Sequence, residues 1–411
     1  MADEYFIYRN SDTEPIPLVT HLRFDDDFDR EIDIPDTVTH LTFGWDYNQP
    51  NTILPPLITH LTFGWNYNQP NTILPPLITH LTFGDDYNQP VILPPLTTHL
   101  TFGFNYNQPT ILPPSITHLT FGNDYNHPVI LPPLTTHLTF GYHYNQPVIL
   151  PPLITHLTFG DEYNQQVTLP PLTTHLTFGY LYDQPVILPP SITHLTFGYC
   201  YNQPVILPPS ITHLNFGDEY NQPVILPPLT THLTFGYSYN QPIILPPSIT
   251  HLVFGYNYNR QVILPPAITH LTFGYYYNQP VILPPSITHL EFGVHYNQPV
   301  ILPPSITHLA FGDDYNQPNT ILPPSITHLT FGRNYNPPTI PPYLENFILK
   351  NGVNYEKYKD NLMNNQYLTY TNIRDKDIQQ QTRINKHNLE KIKIVLTKLC
   401  LSLINENDMV G

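Results

Sequence analysis

The stretch FGYYYNQPVILPPSITHL, residues 273–290, recurs with small changes along most of a chain of 411 residues. The histidine of its Thr-His-Leu triplet sets the register. It stands at His21, His40, His60, His80 and His99 and onward to His328, every 19 residues, or every 20 where PNTILPP replaces PVILPP. A self-similar period of this size turns a length argument into a copy count. It predicts stacked units, each too small to bury an apolar face alone.

Within one unit, Ile287, Leu290 and Phe292 follow the pattern apolar-x-x-apolar-x-apolar, similar to the strand segment of a leucine-rich repeat. An extended backbone sends Leu290 and Phe292 to one face and His289 and Glu291 to the other. Parallel stacking then sets leucine on leucine and phenylalanine on phenylalanine. Such a short unit leaves no room for a helix on the return side, where QPVILPPS carries two prolines that hold the backbone extended. Phe273, Ile282, Leu283, Ile287 and Leu290 are expected to make core. Gly274 ends the strand, through a positive φ or a close backbone approach. Asn278 and its equivalents are expected to form a ladder bonded to neighbouring backbone, with Asp29 and Asp183 as exceptions. The expected fold is all-β: a leucine-rich-repeat-like parallel β-solenoid of about 18 coils, 19–20 residues each, with a small helical C-terminal segment.

Boundaries follow from where the unit degrades. Residues 1–36 form an acidic segment and degenerate first repeat that reads as a cap, 37–340 the repeat solenoid, and 341–349 a degenerate last repeat with Asn346 at the histidine position. Residues 350–411 are a polar tail from which proline has vanished. In it Leu389, Ile392, Ile394, Leu396, Leu399, Leu401 and Leu403 predict a helix that either caps the array or meets a partner.

Charge is scarce, at 11%, and uneven. Residues 1–349 hold 5 Arg and no Lys against 24 acidic residues, a net of −19, whereas residues 350–411 hold 10 basic and 7 acidic residues, a net of +3. Phosphate-backbone binding needs clustered Lys and Arg, so nucleic acid is not an expected partner. Cys200 and Cys400 make no disulfide framework. The start, MADEYFIYRNSDTEP, lacks the segments of a signal peptide, and no run of about 18 apolar residues offers a membrane span. The expectation is a cytoplasmic or nuclear protein that engages no membrane.

The unit LPPSITHLTFG..YNQPVI is similar to the FNIP repeat, a leucine-rich-repeat variant named for a Phe-Asn-Ile-Pro-like core that Tyr277-Asn278-Gln279-Pro280 represents in this chain. The resemblance covers about residues 18–345. It implies a repeat protein of the kind found in social amoebae and in large DNA viruses that infect amoebae, placed in the host-cell cytosol if viral, with a protein-binding role. Several viral members carry an F-box before the repeats, which implies substrate recognition for a ubiquitin ligase. Here seventeen residues precede the first unit at Leu18, too few for that module. The lysine-free body would still offer ubiquitin no side-chain acceptor, as suits a protein working beside a ligase; duplication of a few lysine-poor units explains the same fact.

Two rows of side chains stand out as candidate sites. The first is the strand-face ladder His118, His137, His156, His175, His194, His213, His232, His251, His270, His289 and His308, part of a column of seventeen imidazoles. Zinc needs three or four ligands converging tetrahedrally, and a linear row offers at most two to any ion, so no metal or other cofactor is expected. The ladder reads as structural, and its mutual repulsion when protonated predicts acid sensitivity. The second row follows the strand glycine, where otherwise near-identical copies differ. It holds Trp45, Trp65, Phe104, Tyr142, Tyr180, Tyr199, Tyr237, Tyr256 and Tyr275, interrupted by Asp85, Asp161, Asp218 and Asp313. A row of aromatics at a strand edge has the composition of an interface, and neutral drift after duplication accounts equally for its variability. No nucleophile elbow, phosphate loop or isolated carboxylate pair stands apart from the repeats.

These readings converge on a non-enzymatic protein-interaction scaffold that binds a protein partner, with a link to ubiquitin pathways as one form of it. The alternative is a structural or surface repeat protein that binds an extended ligand along the His/Thr strand face.

Overall fold

Each Thr-His-Leu-Thr-Phe segment forms a short strand because its leucine and phenylalanine face inward while histidine and threonine face out, the period-two alternation of extended backbone. The computed structural model describes residues 5–50, 52–334, 340–350, 369–374 and 378–383. It divides into two units, residues 1–227 and 228–411.

In the first unit, β1 (Phe6–Tyr8) and β2 (His21–Phe24) are followed by ten three-residue strands, from β3 (His40–Thr42) to β12 (His213–Asn215). Each pairs in parallel with the next, and the register sets histidine on histidine and leucine on leucine, as in His175↔His194 and Leu176↔Leu195. β1 is an extra strand within the acidic first segment that the repeat pattern did not reveal. There Tyr8 donates from its hydroxyl to the Glu14 carbonyl at 2.7 Å, and the Arg30 guanidinium lies 5.2 Å from the Phe28 ring.

The second unit continues the pattern from β13 (His232–Thr234) to β18 (His328–Phe331), all parallel. β19 (Asn346–Lys350) pairs with β18 so that Asn346 sits opposite His328, as the degenerate last repeat predicts. The described part of the tail is strand: β20 (Thr369–Arg374) runs parallel to β19, and β21 (Ile378–Arg383) antiparallel to β20. The helix expected between Leu389 and Leu403 lies outside the described residues.

The core of a coil is four side chains deep. Ile287 and Tyr277 are fully buried, Leu290 and Phe292 nearly so, and Tyr277 stacks on Phe273 at 4.1 Å and on Tyr258 at 6.2 Å. Where threonine replaces isoleucine at the position of Ile287, it stays buried and donates to a backbone carbonyl, Thr135 to Pro132 at 2.9 Å in its own coil and Thr97 to Ile78 at 3.4 Å in the coil before. Gly274 is required by close approach: a Cβ there would lie 1.7 Å from the carbonyl oxygen of Gly255 in the preceding coil. Of the two reasons sequence offered for this glycine, backbone proximity is the one the structure supplies. The 20-residue coils absorb their extra residue in the turn, where Asn71 takes a left-handed φ of 60° that asparagine tolerates.

One core assignment is corrected. Ile282 is 90% exposed. The return segment is extended, so Val281 and Leu283 turn partly inward and Ile282 must turn out. The Asn ladder, in contrast, is present. The backbone N–H of Asn278 donates to Asn259 Oδ1 at 3.0 Å, and Gln279 Nε2 donates to the same oxygen at 3.0 Å.

Candidate functional site

The slot after the strand glycine is free to vary because the backbone N–H of its second residue is bonded whatever the side chain. The N–H of the second slot residue donates to the carbonyl of the first slot residue one coil earlier: Cys200 to Tyr180 at 2.9 Å, Tyr276 to Tyr256 at 3.0 Å. Side chains at these positions carry no part of the ladder, so aromatic, acidic and small polar residues fit alike.

The aromatic residues of the first slot lie on the surface. Trp45 and Trp65 are 60% and 53% exposed, with rings 6.4 Å apart and tilted by 56°. Phe104, Tyr142, Tyr180, Tyr199 and Tyr237 are also exposed, and Tyr256 and Tyr275 half-buried. Consecutive tyrosines stack face to face. Tyr180 and Tyr199 are 4.5 Å apart in the first unit, and in the second Tyr237, Tyr256 and Tyr275 form a run with 4.4 Å at each step. Stacking holds the phenols upright as a ridge with their edges outward. Two acids of the slot are tied to the backbone: Asp85 and Asp161 accept from the N–H groups of Phe104 and Tyr180, at 3.3 and 3.2 Å.

Below the aromatic row runs a polar trough that sequence reading did not single out. In the first unit it has a volume of about 510 Å³ and is lined by Asn48, Asn68 and Asn88 of the ladder and by the second-slot residues Asn66, Asp86, Asn105 and Asp124. In the second unit Tyr276, His295 and Asp314 line the corresponding space, with His295 Nδ1 bonded to Asp314. His143 sits between coils in the same way, 3.0 Å from Glu162. The signal available was the second letter of the variable slot, which changes as freely as the first. Cys200 also stands there; desolvation, then Glu219 and Asp183, push its thiol up, which favours the protonated form.

The histidine ladder forms a continuous stack within each unit. Consecutive rings are 4.1–4.3 Å apart from His21 to His213 and 4.1–4.2 Å from His232 to His328. Each Nδ1 meets the hydroxyl of the preceding threonine, 2.9 Å for Thr288 and His289, and that hydroxyl also lies 3.2 Å from the Thr269 carbonyl one coil back. Desolvation and the neighbouring imidazoles hold His60 and His308 down at about 4. Among the described residues no group of three or more His, Cys, Asp or Glu is placed to hold a metal ion, and no helix is long and apolar enough to cross a membrane.

Comparison with known proteins agrees with this geometry. The chain resembles the circular leucine-rich-repeat protein CroV588 of a giant virus, with a TM-score of 0.71 and 38% identity over 86% of this chain; it spans 63% of that chain's length. Its fold is also similar to that of YopM from Yersinia enterocolitica, with a TM-score of 0.61 and 22% identity over 80% of this chain and 76% of that one. No curated protein matches by sequence. The model of the FNIP repeat matches eleven overlapping segments that together run from residue 47 to residue 334, and the chain belongs to the FNIP repeat family.

Proposed function

We propose that this leucine-rich-repeat-like scaffold is a non-enzymatic binding protein whose strand face and adjoining aromatic row hold a protein partner. The observation that carries the reading is the slot itself. Large aromatic side chains stand exposed at positions where the backbone asks nothing of them, and exposed tyrosine and tryptophan are the residues from which interface hot spots are built. The row is acidic at its interruptions and the repeat body carries a net charge of −19, so the fitting partner presents basic residues among its contacts. Arginine suits both, pairing with the carboxylates and stacking on phenols.

The working compartment in this reading is the cytoplasm, that of a host cell if the protein is viral. A connection to ubiquitin chemistry belongs to the same reading and is supported by the lysine-free residues 1–349. The second reading, an extended ligand along the His/Thr columns, draws on a shallow trough of about 330 Å³ over the strands, lined by His270, His289, Glu291 and His308 among others. Recovery of a stoichiometric partner by pulldown, followed by titration against the Tyr237→Ser/Tyr256→Ser/Tyr275→Ser variant, decides between them. Loss of binding supports the aromatic row; binding that survives moves the ligand to the strand face.

A further inference from the structure

The return side of each coil carries an isoleucine that the fold does not need. In the first unit nine of them, from Ile53 to Ile225, are between 83% and 93% exposed, aligned one per coil. The fold accepts a polar residue there, because Thr168 occupies the position in one coil and is also exposed. The slot after the glycine shares the same history of duplication and has diverged into tryptophan, tyrosine, aspartate and asparagine. The exposed isoleucine persists in nine coils of this unit and is replaced at Thr168 and, in the degenerate first repeat, at Asp33. A fully solvated position that holds its identity while another solvated position drifts is held by something outside the coil.

The surface around it is apolar and uncharged. Between Gln89 and His99 the outward residues are Pro90, Ile92, Pro95 and Leu96, and no residue of that segment is ionised at neutral pH. Ile92 and Pro95 stand out on either side of buried Leu93 and Pro94, so the isoleucine row is a ridge with a groove beside it. Repeated over the unit, these rows expose on the order of 1,000 Å² of apolar area, beyond what a soluble monomer leaves bare and enough for one side of a stable interface.

We infer that this face is covered by the same face of a second copy of the chain. Ridge residues recur at the same point of successive coils, and a partner that meshes with them needs the same period. A second copy has it. A two-fold axis sets the isoleucine ridge of each chain into the groove of the other, the dry interdigitation of identical rows seen in steric zippers, and closes the assembly at two. Charge argues against the polyanionic alternatives. An acidic body is repelled by anionic lipid and by nucleic acid, and the return face offers no cation to either. The pairing leaves both strand faces and both aromatic rows uncovered, so the dimer presents two copies of the proposed binding surface.

Sedimentation velocity of the full chain across a dilution series, together with the Ile92→Thr/Ile111→Thr/Ile130→Thr/Ile149→Thr variant, tests this. The wild type is expected to sediment as a dimer that tightens as salt rises, because screening relieves the repulsion between two acidic bodies. The fourfold variant is expected to associate at least tenfold more weakly, with an unchanged circular dichroism spectrum and, at dilutions where both chains are monomeric, an unchanged thermal midpoint, since Thr168 shows the substitution is native to the fold. The Tyr180→Ser/Tyr199→Ser variant is expected to dimerise as the wild type does, which separates this face from the aromatic row. A wild type that is monomeric throughout overturns the proposal, as does a fourfold variant that dimerises undiminished. Wild-type monomer that co-floats with phosphatidylcholine vesicles overturns it in favour of a lipid surface.

Discussion

Thr72 closes a hydrogen bond with the buried hydroxyl of Tyr67 at 2.9 Å, and the valine that stands in place of such a threonine in most coils closes none. Thr110 does the same for Tyr106 in a coil of ordinary length, so the extra residue of the longer coils is not required. The hydroxyls of Tyr144 and Tyr201 are buried without a partner among the described residues, and burial pushes their phenol pKa values up. Val148→Thr and Val205→Thr place a hydroxyl where Thr110 has one. Each is expected to gain about 1 kcal/mol, read as a higher urea midpoint at unchanged m-value. Tyr144→Phe is expected to be neutral or stabilising and Tyr67→Phe to cost about 1 kcal/mol, because only the second breaks a bond already made. Equal losses from both phenylalanine variants would remove the distinction.

The asparagine ladder uses one atom of each side chain. Asn145 Oδ1 accepts from the N–H of Asn164 at 3.0 Å and from Gln165 Nε2 at 3.1 Å, and the carboxylate of Asp183 accepts in the same way from Asn202 and Gln203 at 2.9 and 3.1 Å. The exceptions in the sequence are therefore chemical equivalents: an acceptor oxygen is needed and the amide nitrogen is not. Asn145→Asp is expected to change stability by less than about 0.5 kcal/mol. Asn145→Ala orphans two donors and is expected to cost about 1–3 kcal/mol. A chemical-denaturation series of the two variants reads the difference, and an aspartate variant as weak as the alanine one would refute the single-acceptor account.

At the aromatic ridge the expected behaviour is loss of binding without loss of fold. Tyr237, Tyr256 and Tyr275 stack on one another, and the coil beneath them rests on the backbone ladder and on Tyr239, Tyr258 and Tyr277 inside. Replacing the outer three by serine is expected to weaken partner binding at least tenfold while the thermal midpoint moves little. A large fall in the midpoint would mean the ridge is structural.

Much of this was legible from the repeat. The histidine register, the parallel pairing, the inward Leu and Phe and the degenerate last strand at Asn346 all follow from period and alternation, which act at every copy in the same direction. Two rows were not. Tyr277 is absent from the core expected from sequence, yet it is fully buried; its constancy beside the variable Tyr275 and Tyr276 was the available sign, since a turn tolerates change and a core position does not. Ile282 was counted as core because it is apolar and constant, and the alternation along an extended return segment puts it outside. Constancy alone does not distinguish a side chain held by the core from one held by a partner, and only the direction of the backbone separates the two. The candidate site was legible as a list of residues. Its stacked ridge and polar trough needed coordinates, because spacing in sequence does not report ring orientation.

The histidine stack is expected to make the protein acid-sensitive, and the sign follows from the direction of the shifts. His60, His80 and His99 are all held below the ordinary imidazole value, by desolvation first and by their neighbours' charge second, His60 to about 4. Below about pH 6.5 the unfolded chain therefore takes up protons that the stack refuses. Stability is fully present above that value and falls as pH drops toward about 4, where the folded stack must itself accept charge. Thermal midpoints measured between about pH 7 and pH 5 are expected to decline steadily. The His60→Asn/His80→Asn/His99→Asn variant is expected to flatten part of that slope while folding normally, since Asn346 already occupies the ladder position opposite His328. The hydroxyl of each preceding threonine still has its carbonyl in the coil before, 3.2 Å for Thr79 and Thr59, so the substitution leaves no orphaned group behind. An unchanged slope in the variant would place the acid sensitivity in the carboxylates and free the ladder from it.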